Sequence, residues 1–287
     1  IQFQEGTDSV IADKKMVYHL LDTLYVTHSD DKDVINLIND TYLTFDDKKT
    51  SYSFLEKITK DSSTSQDVWI QYLSVISSLG NFDTLYNSSL EAIQKFPKEP
   101  TFNFFAGFSA TLTKRYKEAQ NLYTEGLKKE ILNENLRSQM LIGLGDVSSE
   151  LKDYEISDDS YEKALVIEPN NATVLNNYAY FLSVRNLELS RAEKMSRKSN
   201  LLEENNAAFQ DTYAWIMYQK GDYNEALKWM EKAMLSSGED SSAEMFDHYG
   251  DILLKLNQKE KALQYWEKAL EKDNTREETS KKIQEHK

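Results

Sequence analysis

Side chains capable of bond-making chemistry are few in this chain, and their spacing argues against catalysis. His19, His28, His248 and His286 are scattered, with no HExxH and no pair at ligand spacing. Cysteine is absent, which removes thiolate nucleophiles, thiolate metal sites and disulfides together. Asp30, Asp31 and Asp33 approach the carboxylate pattern of a calcium loop. Its glycine is missing, however, and Ile35 stands at a ligand position, so a solvated helix start fits better. Gly143-Leu144-Gly145 has no strand before it and makes a poor phosphate loop. The sequons at Asn39, Asn87 and Asn171 are what chance supplies in a chain rich in Asn and Ser. No enzyme, cofactor or metal site is expected. What remains is carboxylates beside aromatic rings, such as Asp211, Trp215 and Tyr218, and these suit recognition.

Those three residues lie in DTYAWIMYQKGDYNEALKWMEKA, Asp211 to Ala233, where two helical patterns flank a turn at Gly221-Asp222. Ala214, Ala226 and Ala233 sit where the two helices must cross closely. The first of these small positions recurs at Asn39, Leu73, Gly107, Gly145, Ala179, Ala214 and Gly250, at intervals 73−39=34, 107−73=34, 145−107=38, 179−145=34, 214−179=35 and 250−214=36. The second helix carries Ser51/Ile58, Leu85/Ala92, Ala119/Gly126, Ser157/Ala164, Ala192/Ser199, Ala226/Ala233 and Ala262/Ala269, each pair seven residues apart and so on one helical face. Gly80 and Gly221 fall in turns within pairs, while Pro97, Pro100 and Pro169 fall between pairs. Few glycines and prolines, with abundant Leu, Lys, Glu and Ala, favour helix throughout.

The register divides the chain into a partial N-terminal repeat over 1–31 and helix pairs over 32–65, 66–99, 100–137, 138–171, 172–206, 207–242 and 243–274. A polar terminal helix over 275–287, opened by a Thr275–Glu278 capping box, covers the end of one continuous domain. Helical spacing in the N-terminal part begins near Lys15 and reads as the second helix of an array cut on its upstream side.

A helix–turn–helix unit of about 34 residues with these small positions resembles the tetratricopeptide repeat (TPR). The resemblance is carried by LNNYAYFL (175–182) with RAEKMSRKS (191–199), by the Asp211–Ala233 segment and by DHYGDILLKLNQKEKALQYWEKAL (247–270). NFFAGFSA and KRYKEAQNLYTEG after Pro100 also match. Over 32–99 the match weakens: Leu73, Leu85 and Ile58 replace small residues, and Ser88 replaces the usual aromatic. The resemblance implies an all-α right-handed superhelix (TPR solenoid) of about seven repeats and a non-enzymatic interaction scaffold. The NNYAYFLS and DTYAW segments resemble bacterial TPR proteins, many exported or envelope-associated, which implies an exported or envelope location over a cytoplasmic one.

In that family the first helices line a concave groove. Here the positions left over from packing are Asp211, Trp215 and Tyr218, then Asp247 and Asp251, Asn176 and Tyr180, Ile142 and Asp146, and Phe104 and Phe108. Nearly free of lysine, this surface suits a protein or peptide segment with apolar anchors and Lys/Arg. The bland alternative is that Trp215 packs across to Tyr180. The inward positions that would carry a carboxylate clamp are Asn36, Ile70, Phe104, Ile142, Asn176, Asp211 and Asp247, so an anionic tail would be repelled. A net charge of −14 and pI near 4.9 likewise disfavour nucleic acid, and no apolar run reaches the length of a membrane span. Two other readings stay open at this point: the regulatory or assembly half of a larger protein, and a self-associating structural module.

Overall fold

The computed structural model describes residues 2–29, 31–130 and 133–286; Asp30 lies outside the described residues, as do the side chains before Lys14. Every regular element among them is helical, and the chain divides into two compact units, residues 1–136 and 137–287. The first unit contains α1 (Gln2–Thr27), α2 (Lys32–Thr44), α3 (Lys48–Thr59), α4 (Gln66–Ser78), α5 (Phe82–Lys95), α6 (Pro100–Leu112) and α7 (Tyr116–Leu127). Beginning at the end of that unit, α8 (Glu134–Glu150) leads into the second. There follow α9 (Tyr154–Ile167), α10 (Ala172–Val184), α11 (Leu189–Leu202), α12 (Ala207–Gln219), α13 (Tyr223–Ser237), α14 (Ala243–Lys255), α15 (Lys259–Lys272) and α16 (Glu277–His286). Helical spacing is legible only from Lys15, yet α1 extends back to Gln2.

Each helix pair is closed by a tight turn with a residue in the left-handed region, and the α10–α11 turn has two, Asn186 and Glu188. Gly80 and Gly221 take that role in two turns, but Asp46, Lys114, Lys152, Asn186 and Asn257 take it in the others. In six of these turns the amide three residues past the helix donates back to a carbonyl of the last turn, as in Arg115 N to Ala110 O at 2.8 Å and Asp222 N to Met217 O at 3.0 Å. Between pairs, side chains cap the incoming helix. Asn206 accepts from the amides of Ala208 and Phe209, and Asn171 accepts from Val174 N at 3.1 Å, so this sequon asparagine serves as a helix cap.

Close approach within a pair rests on the small positions. In the first pair Asn39 is satisfied by the Ser51 hydroxyl at 2.5 Å, and in α8–α9 Ser157 donates to the Gly145 carbonyl at 2.9 Å. A Cβ on Gly107 would stand 2.7 Å from the Tyr123 ring, one on Gly145 would stand 2.9 Å from Tyr161, and one on Gly250 would collide with Trp266. In each case the ring lies sixteen positions on: 123−107, 161−145 and 266−250 all equal 16. At the same offset Ala179 and Ala214 meet the numbers of Met195 and Met230, and Leu73 that of Ser89, all buried. A larger residue on one helix is thus matched by a smaller one on its partner, as close packing requires.

The chain ends with α16 laid beside α14 and α15, its Ile283 buried. The expected capping box does not form. Thr275 instead directs both its amide (3.0 Å) and its hydroxyl (2.7 Å) to Asp273, one residue before Arg276 turns into α16. Gly250→Ala forces the buried Trp266 ring out of place and is expected to destabilise the fold by about 1–3 kcal/mol, the usual range for overpacking. Urea unfolding followed by circular dichroism measures this, and an unchanged midpoint would refute it.

Candidate functional site

Polar side chains join successive first helices along one face of the second unit. From α10, Asn177 donates to Asp146 of α8 at 3.2 Å, and the Tyr161 hydroxyl donates to the same carboxylate. Burial raises the pKa of Asp146, against the pull of these two donors. Farther along, His248 Nδ1 of α14 lies 2.9 Å from Asp211 Oδ1 of α12. Both residues are buried, Asp211 at 7% exposure. Burial alone would lower the His248 pKa, but the Asp211 carboxylate, backed by Glu244 and Asp247, raises it above the ordinary histidine value. The indole of Trp215 stacks between this imidazole (4.1 Å) and the Tyr218 ring (4.7 Å). Trp215 therefore packs, against His248 and Tyr218 rather than against Tyr180. Asp211, expected on an open surface, is instead half of a buried ion pair.

Asp247 and Asp251 also depart from the expectation of a solvent-facing groove. Asp247, 8% exposed, accepts from Thr279 (3.0 Å), Lys282 (3.1 Å) and Arg276 (3.2 Å) of the terminal segment. Asp251 accepts from Lys282 (2.7 Å) and from the indole of Trp266 (3.1 Å). Burial would raise both carboxyls. Lys282, with Thr279 and Arg276, holds Asp247 below its usual range, while Asp251, sharing the same ammonium, stays raised. These two acids are neutralised within the chain.

An open cleft of about 580 Å³ lies between α10, α12 and α14. Its walls include Asn176, Tyr180 and Asp211 from the expected set, together with Asp146, Asn177, Phe181, Asp240 and Glu244. Four of its lining residues are carboxylic acids, and among the described residues no Lys or Arg lines it. The Tyr180 hydroxyl donates to Glu244, 64 residues on, reaching over the N-terminal turn of α12. Ala207 and Ala208 of that turn line the cleft and leave it room. Burial and then the Glu244 charge raise the Tyr180 hydroxyl pKa, so the phenol stays protonated and donates. Helical-face reasoning missed Glu244, Asp240 and the alanine pair; the one available signal was Ala207-Ala208, small residues in the first turn of a first helix.

Phe104 and Phe108 belong to the first unit. Their rings stack on one another at 6.1 Å, and Phe108 also meets Phe82 edge-on at 6.0 Å, so both are half-buried and Phe108 belongs to the hydrophobic core of that unit. Among the described residues, no group of three or more His, Asp or Glu side chains is placed to hold a metal, and no helix is long and apolar enough to cross a membrane.

Residues 138–171 and 243–275 match the family described as Tetratricopeptide repeat. In those two segments the chain carries tetratricopeptide repeats. Solved TPR structures share its fold at low identity. One is a tetratricopeptide repeat protein from Parabacteroides merdae, at 15% identity and TM-score 0.68, with 88% of this chain and 97% of that one covered. Another is the Pseudomonas aeruginosa protein pilF, at 17% identity and TM-score 0.58, covering 76% and 96%. A third is YrrB, a TPR protein with an unusual peptide-binding site, at 17% identity and TM-score 0.50, covering 72% and 95%. No curated protein matches the sequence. TPR proteins are in general protein-interaction scaffolds, and the all-α repeat architecture expected from the sequence is the one found.

The buried pair makes the stability of the second unit depend on pH. Because His248 has a raised pKa in the folded state, its contribution is complete below the unfolded value, near 6.5, and is lost as pH rises through the folded value. The stability difference between the wild type and His248→Gln is expected to be largest at about pH 6 and to shrink in alkaline buffer. Parallel urea titrations across that range provide the check; a difference that grows with pH would contradict the pairing.

Proposed function

We propose that this TPR chain is a non-catalytic scaffold that holds an extended or helical protein segment in the cleft between α10, α12 and α14. The segment carries apolar anchors and basic side chains. One observation carries this reading: the cleft combines four carboxylic acids with the rings of Tyr180 and Phe181 and is lined by no cation among the described residues. Such a surface attracts Lys and Arg and repels anionic tails. The peptide-binding site described for YrrB supports a role of this class. Asp211 shapes the cleft through its pair with His248, and Trp215 and Tyr218 brace that pair from behind. On the first unit, Phe104 and Phe108 offer a separate half-buried aromatic pair for apolar contact.

Selection from a peptide-display library on the purified chain tests this. Peptides with basic and apolar residues are expected. Asp240→Lys, at the exposed rim of the cleft, should weaken their binding about tenfold or more by reversing one charge. Asp159→Lys, exposed on α9 and outside the cleft lining, should leave it nearly unchanged. Failure to recover any binder, or equal effects of the two reversals, would overturn the proposal.

A further inference from the structure

We infer that the cleft takes the side chain of an arginine in the bound segment, its guanidinium received by Asn176, Asp211 and Glu244; this rests on the segment-binding reading above. Asn176 supplies the observation that is independent of charge. It is 6% exposed and lines the cleft, yet its Oδ1 accepts no hydrogen bond. Its own amide reaches only Asn177 Oδ1, at a long 3.4 Å. Five side-chain amide carbonyls among the described residues are buried without a partner, and that of Asn176 is the one whose residue lines this cleft, where a bound segment can supply the donor.

The remaining hydrogen-bonding inventory points the same way. Three of the cleft's donors are already committed: the Tyr180 hydroxyl to Glu244, the Asn177 amide to Asp146, and the Ser237 hydroxyl to its own turn. Its acceptors are in surplus, since each carboxylate offers two oxygens and His248 engages only Oδ1 of Asp211. A complementary ligand is therefore cationic and rich in donors.

Arginine fits this better than lysine. The acceptors come from α10, α12 and α14, which a planar fork with five N–H groups spans and a compact ammonium does not. Tyr180 and Phe181, packed edge-to-face with ring centroids 5.4 Å apart, line the cleft with aromatic surface, and a guanidinium stacks on one such ring face. A metal ion needs converging ligands, and no such group is present among the described residues.

The test uses the full chain labelled with ¹⁵N at asparagine and titrated with N-acetyl-arginine N-methylamide or its lysine counterpart. The arginine compound should shift the Asn176 side-chain amide signals, and the lysine compound should need about tenfold more ligand for the same shift. Glu244→Gln keeps an acceptor for Tyr180 but removes a charge, and it should weaken arginine binding about tenfold. Asn176→Ala should weaken binding without lowering the melting temperature, because the carbonyl it removes has no partner in the fold. Equal responses to both compounds, no response to either, or an unaffected Glu244→Gln variant would overturn the inference. Selected segments that lack arginine but lose binding in Asp240→Lys would sink this inference and leave the segment-binding reading standing.

Discussion

The fold depends on how closely two helices of one pair can approach. Their backbones cross where a small residue of the first helix meets a side chain sixteen positions later on the second, and the combined volume of the two is what the crossing tolerates. Glycine accepts Tyr123, Tyr161 or Trp266. The alanines of α10 and α12 stand at the same offset from Met195 and Met230, and Leu73 from Ser89. The exchange explains why the weakly matching repeat around Leu73 still pairs its helices: the bulk has changed sides. Everything farther out follows from that distance, including the turns with a left-handed residue and the lining up of first helices along one face.

This constraint is local, and so it was legible. Small residues at a fixed interval, seven-residue spacing on the second helix and prolines between pairs mark the helix pairs without any knowledge of contacts. Glycine marked only two of the turns, because Asp46, Lys114, Lys152, Asn186 and Asn257 adopt the same left-handed conformation in the others. The inner face was less readable. Helical periodicity tells which side a residue is on, and it placed Asn176, Tyr180 and Asp211 on the side that borders the cleft. It does not tell what stands opposite. Asp211 meets His248, and Asp247 meets Lys282, partners 37 and 35 residues away on other helices. Burial and neutralisation of an acid are properties of such pairs, which a single helix cannot display.

Two sets of acids in the second unit therefore differ in character. Asp247 and Asp251 are held by Arg276 and Lys282 and contribute to cohesion. Asp146, Asp240 and Glu244 border open space and receive hydrogen bonds, where they receive any, from neutral side chains. A net charge of −14 says nothing about this partition. The second group leaves its charge open to the cleft, and the Tyr180–Glu244 bridge gathers it around one opening.

The position of α16 bears on how such an array lengthens. Lys282 and Arg276 bring cations to Asp247 and Asp251, so the acids of α14 are matched to a neighbour with cations at those points. A repeat appended after Asn274 by duplication of an internal unit would bring Asp211 or Asn176 to that place, and the carboxylates of α14 would face an acid or an amide. The helix that packs against this face of α14 is thus selected by electrostatic matching as well as by shape.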